Sequence, residues 1–197
     1  MKMGQTEAWV LGLLTLAALI VSGVNPYDRL TWVLETLPVM IGLPLLLATH
    51  RRFPLTPLVV RLLFVHGLIL MLGGHYTYAR VPVGFWAQET FDLARNHYDR
   101  LGHLAQGFIP AMLAREILLR QMPLRPGGWL FLLTTSVVLA FSACYEFVEW
   151  GSALALGGDA DAFLALLQTF TNSIPWPISS DGARTMAGPC GNLLKFT

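Results

Sequence analysis

Charged side chains are scarce in this chain, at 13% of 197 residues where an ordinary soluble domain has about 25%. With 54% hydrophobic residues and apolar runs of nearly membrane length along most of the sequence, a fold surrounded by water is ruled out. Cysteine is almost missing too. Cys144 lies inside an apolar run and Cys190 in a polar tail, with no CxxC or Cys/His spacing, so neither a disulfide framework nor a zinc site is indicated. No block of one sign of charge occurs and the net charge is +1, which argues against nucleic acid as a partner. Phosphate-binding glycine motifs, a nucleophile elbow and HExxH are also lacking.

What the chain does have is length without polarity, with a mean hydropathy of +0.56. Five stretches approach the roughly 20 residues that an α-helix needs to cross a bilayer. The first extends from about Ala8 to Val24 and stops at the turn pair Asn25-Pro26. The second, about Leu30 to Thr49, contains Pro38 and Pro44, which lipid-embedded helices tolerate when neighbours satisfy the freed backbone. The third is about Leu58 to Gly74, behind Pro57; the fourth, Leu101 to Leu119, is partly amphipathic; the fifth is Trp129 to Trp150. His75 to Arg100 is the one long connection. A cleaved leader is a competing reading of the first stretch, because Lys2 precedes it and Val21-Ser22-Gly23 ends it. It is longer than the roughly 7–15 residues of a leader's apolar region, and Glu7 stands where basic residues belong. A retained helix fits better. The expected fold is an all-α, polytopic membrane helical bundle with about five transmembrane helices. Residues 1–163 form its embedded domain and 164–197 an irregular tail.

Lys/Arg placement sets the orientation. With the amino terminus in the cytoplasm, the inner side holds Lys2, Arg51, Arg52, Arg61, Arg115, Arg120 and Arg125, and the outer side Arg29, Arg80, Arg95 and Arg100. Spans four and five then run in opposite directions, so the start of one meets the end of the other at the outer face. Asp99, His103 and Gln106 form one stripe by helical spacing; Thr135, Ser142, Glu146 and Glu149 form another. Polar stripes on neighbouring spans should face each other rather than lipid. Pro110 loosens the backbone ladder around Gln106 and can bend the fourth helix over the site.

Three carboxylates and an imidazole, as D-x-x-x-H and E-x-x-E, make an oxygen-rich donor set that suits a divalent metal such as Mn, Fe, Zn or Mg. Asp99, His103, Glu146 and Glu149 are therefore candidate metal ligands. Such a centre would activate water or polarise a phosphoryl or carbonyl oxygen of a lipid headgroup. Two other readings compete with it. Arg95 or Arg100 can pair with Asp99 or Glu146 as structural ion pairs, and the same carboxylates can relay a proton or cation. Glu35, about one turn inside the second span, is a further candidate for the site. His66 stands alone among apolar neighbours, as a hydrogen-bonded packing histidine would. His75, Tyr76 and Tyr78 read as interfacial residues, as do Trp86, Trp129 and Trp150 in an aromatic belt, and Arg51-Arg52 and Arg120 as topological anchors.

Three motifs carry a resemblance. They are Gly73-Gly74-His75-Tyr76-Thr77-Tyr78-Ala79-Arg80, the run Arg95-Asn96-His97-Tyr98-Asp99-Arg100-Leu101-Gly102-His103 followed by Gln106-Gly107-Phe108, and Tyr145-Glu146-Phe147-Val148-Glu149-Trp150. Together they resemble the YjdF-like family of bacterial multi-pass inner-membrane proteins, over about residues 8 to 163. The resemblance implies an inner-membrane protein and names no reaction. Family members look as though they continue past Asp159-Ala160-Asp161-Ala162-Phe163 with further aspartate-bearing segments and a last membrane helix. Here a Pro/Ser/Gly-rich stretch follows instead, and the expectation is a carboxyl terminus that is truncated or out of frame. The functional expectation is a metal-dependent or acid–base enzyme acting on a lipid-linked or envelope substrate at the outer face. The alternatives are a cation or proton relay, or a structural membrane partner without catalysis. Membrane lipid is the only partner implied; protein partners are left open.

Overall fold

The computed structural model describes residues 5–156, apart from the side chains of residues 5, 149 and 152–156. Among the described residues there are six α-helices and no strand: α1 (Gln5–Ser22), α2 (Arg29–Thr49), α3 (Pro57–Tyr76), α4 (Pro82–Thr90), α5 (Tyr98–Gln121) and α6 (Gly128–Leu156). The all-α bundle is thus the architecture found, and α1, α2, α3, α5 and α6 coincide with the five expected spans. By length and composition, α2, α3 and Gly128–Val148 of α6 can cross a membrane, and α1 is a shorter apolar helix. α5 has a span's length, and its charges sit at its two ends, Asp99 and Arg100 at one and Arg115, Glu116 and Arg120 at the other. The connection from 75 to 100 contains α4, which begins with Pro82 at its first position, where a missing N–H removes no helical bond. The chain divides into two compact units, Met1–Glu149 and Trp150–Thr197. Of the second, the described part is the last stretch of α6. The expected boundary at 163 and the tail 164–197 lie outside the described residues.

Within the first unit α3 packs against α1, α2 and α5. Small residues let α2 come close: a Cβ added at Gly67 would touch Val39 at 3.7 Å, and one at Gly74 would stand 3.0 Å from the Cβ of Glu35. Val39, Leu70 and Met71 form the buried cluster at this seam, covered by Ala18 and Leu19 of α1. In lipid such a contact is held by close packing rather than by transfer from water, so glycine at the crossing matters more than greasiness.

The two ends of the bundle are fastened by different chemistry. At one end His75 Nδ1 donates to the carbonyl of Ser22 (2.8 Å), the Tyr27 amide donates to the carbonyl of His75 (2.9 Å), and Arg80 lies over the Tyr27 ring, 3.8 Å from its centre. Asp28 caps α2 there by accepting from the Thr31 amide at 2.7 Å. At the other end the buried carboxylate of Glu116 on α5 accepts from the Thr56 amide (2.9 Å) and hydroxyl (2.7 Å), fixing the residue just before α3. Arg120 donates to Glu116 (2.7 Å) and to the Pro54 carbonyl (2.6 Å), and covers the Phe53 ring. Such satisfied pairing is what a buried carboxylate requires. Arg120 is therefore more than a topological anchor: it holds the 53–56 turn against α5.

Candidate functional site

The end that carries His75 and Asp28 also gathers the ionisable groups. α3 is terminated by two successive residues in the left-handed region, Thr77 (φ 58°) and Tyr78 (φ 39°), neither of them glycine. Their amides return to the carbonyl of Gly73, which closes the helix end and reverses the chain. The reversal folds the Tyr78 ring back into the bundle. A Cβ at Gly73 would come 2.5 Å from that ring and one at Gly102 of α5 2.7 Å, so the ring passes between two helices that only glycine allows so near. Its hydroxyl donates to Glu35 Oε2 of α2 at 3.0 Å. Burial, and then the neighbouring Glu35 carboxyl, push the Tyr78 phenol well above its ordinary value, so it remains a protonated donor.

On α5, Asp99 Oδ1 and His103 Nε2 stand 3.3 Å apart, one helical turn from each other, with both side chains more than half exposed. Tyr98, just before them, is buried and donates to the carbonyl of Ile69 at 3.1 Å, pinning α5 to α3; its ring centre is 6.0 Å from that of Tyr78. Asn96 organises the approach. Its Oδ1 accepts from the Tyr98 amide (2.9 Å), while Nδ2 donates to the carbonyls of Ala79 (3.2 Å) and Val81 (3.1 Å). Gly84 of α4 abuts this amide so closely that no side chain fits there. The long connection is thereby stitched to the start of α5.

α6 reaches the same end through Tyr145, whose hydroxyl donates to the carbonyl of Leu34 at 2.5 Å. That carbonyl is the one Pro38 leaves without its helical donor, since proline four residues on has no N–H. Glu146 follows Tyr145 and is exposed. His103, Asp99 and Glu146 are near enough for their charges to act on Glu35. The side chain of Glu149 lies outside the described set. Among the described residues, no group of three or more His, Cys, Asp or Glu side chains is disposed to hold a metal ion. Arg95 and Arg100 are near enough for their charges to act on Asp99.

Sequence reasoning placed Glu35 at the margin of the site and Tyr78 in an interfacial belt; the structure makes them its hydrogen-bonded centre. The available signal was the pair Gly73 and Gly102, small residues at the level where an aromatic ring had to enter. His66 is buried in α3 as expected, but its Nδ1 lacks a partner, so the hydrogen bond expected of it is not made at that nitrogen.

Fold and site together define a helical, membrane-spanning protein with a polar cluster at one end of its bundle. The chain belongs to the family described as predicted membrane protein (DUF2238), whose model matches residues 7–172. It is 52% identical over 163 residues to the inner membrane protein YjdF of Escherichia coli (strain K12), an alignment covering 83% of this chain and 76% of that relative. No solved structure matches.

Proposed function

We propose that the cluster is an acid–base site on the outer face of the inner membrane, acting on a polar group of a lipid-linked or envelope substrate. The reading is carried by two polar couples at one bundle end: Asp99 with His103 at 3.3 Å, and the protonated Tyr78 phenol on Glu35 at 3.0 Å. Asp99 stands one turn from the imidazole and can orient it, the arrangement that lets a histidine take a proton and return it. Tyr78, its ring confined between Gly73 and Gly102, donates its one proton to Glu35 and so holds that carboxyl in place before substrate arrives. Exposure of Asp99 and His103 leaves them reachable from the headgroup region. The Lys/Arg distribution favours a cytoplasmic amino terminus, and with that orientation this end faces outward.

A divalent metal on Asp99, His103, Glu146 and Glu149 is the variant of this reading in which the carboxylates act as ligands. Metal content of the purified protein, compared with that of Glu146→Gln, distinguishes the two forms. A relay across the bilayer would need polar groups leading away from Glu35, and the next titratable side chain toward the other end, His66, opens on apolar walls. The test is complementation. A strain lacking the protein is expected to show an altered envelope-lipid profile that the wild-type chain restores, whereas His103→Ala and Tyr78→Phe, at equal membrane abundance, do not. Full restoration by both variants would refute an acid–base role.

A further inference from the structure

At the end opposite the site, the first unit contains a cavity of about 820 Å³ walled by α1, α2, α3, α5 and α6. Its mouth carries His50 and Arg51, and its lining follows α3 from Val60 past His66 to Leu70 at the far end, about 15 Å at 1.5 Å per residue. The wall between them is almost wholly apolar, and no Asp or Glu contributes to it. Among the described residues the acids that form ion pairs are Glu7 with Arg61, Asp99 with His103 and Glu116 with Arg120, so none pairs with Arg51. His66, in the wall, is 9% exposed and its Nδ1 has no partner. The space is large for the protein's own atoms: a Cβ added to Gly42, which lines it, meets nothing within 4 Å.

A slot of this composition within the bilayer does not hold water well, because ordered water needs two to four polar partners. It also falls within the range of roughly 300–1,000 Å³ typical of pockets that hold ligands. An amphiphile with a negative head matches both of its parts: an unneutralised guanidinium at the mouth and an apolar trench leading inward from it. We propose that the cavity binds one anionic phospholipid of the adjoining leaflet, the phosphate paired with Arg51 and one acyl chain lying along α2 toward His66. Basic pockets between transmembrane helices recognise headgroups in this way. The lipid wedges α6, through Val137, Val138 and Phe141, against α2 and α5, where direct contact between protein side chains leaves a gap. The inference is independent of the acid–base reading, whose residues sit at the other end.

Native mass spectrometry of the full chain in detergent, titrated with dioleoyl phosphatidylglycerol or dioleoyl phosphatidylcholine, tests it. One phosphatidylglycerol per chain should be retained, about tenfold more tightly than phosphatidylcholine. Gly42→Phe, which fills the trench, should abolish that single retained lipid, and Gly42→Ala should keep it. Arg51→Gln should reduce phosphatidylglycerol to the level of phosphatidylcholine. Equal retention of the two lipids by the wild type, tighter retention of the neutral one, or undiminished retention by Gly42→Phe would overturn the proposal. Were Gly42→Phe not to fold, as judged by circular dichroism, Arg51→Gln alone decides, and an unchanged preference for phosphatidylglycerol refutes it.

Discussion

Left-handed backbone at a residue other than glycine costs about 1–3 kcal/mol, and Thr77 and Tyr78 adopt it in succession. The conformation persists because the ring it turns inward is gripped by α3 and α5 and hydrogen-bonded to α2. With Gly73 on its other side, the ring has nowhere to retreat, so Gly102→Ala should lower stability by about 1–3 kcal/mol, the usual cost of overpacking. Gly107→Ala, on the same helix with nothing within 4 Å of the added Cβ, should be neutral or gain up to about 1 kcal/mol from helix propensity. Thermal unfolding of the two variants in one detergent checks this, and coincident midpoints would contradict it. The same residues show which part of the site could be read in advance. Asp99 and His103 are one turn apart on a helix, so their pairing is local and visible as spacing. Tyr78 and Glu35 are joined across two helices by a reversal after Tyr76, and no periodicity encodes a reversal.

The helices show how far local chemistry determines where an element begins and ends. α2 starts at Asp28, whose carboxyl accepts from the Thr31 amide and is thereby held below its ordinary value of 3.8. A carboxyl with a lowered folded-state value stabilises the fold above its unfolded value, and the contribution disappears as pH falls through the folded one. Asp28→Ala should thus cost about 0.5–2 kcal/mol near neutral pH, and the difference from wild type should shrink as pH drops below 3.8. Melting curves at pH 7 and at the lowest pH the folded protein tolerates would show it; a difference constant across that range would speak against the cap. Spans were legible because apolar length is a one-dimensional signal. α4 was missed, since nine residues amid a polar connection have no such length, and its stability comes from Pro82 at the start and Asn96 against Gly84. Glu116 and Arg120 were likewise opaque: their partners lie some sixty residues upstream, in the turn before α3.

For the whole molecule, membrane class and helix order follow from composition and run length, whereas the way the helices join does not. Sidedness is a statistical reading of arginine and lysine positions, and it can be tested directly. In a chain whose Cys144 and Cys190 are replaced by serine, a cysteine introduced by Arg80→Cys should react with a membrane-impermeant maleimide in intact spheroplasts. One introduced by Arg52→Cys should react only after lysis, and the reverse pattern would invert the orientation. The junction between α6 and α2 shows why assembly escapes a linear reading. Tyr145 bonds to Leu34 because Pro38 has vacated that oxygen, so the docking of one rod depends on a defect in another. Restoring the missing amide with Pro38→Ala would make α2 a better helix in isolation and, by supplying a competing donor for the same carbonyl, loosen the partner that the flaw had recruited.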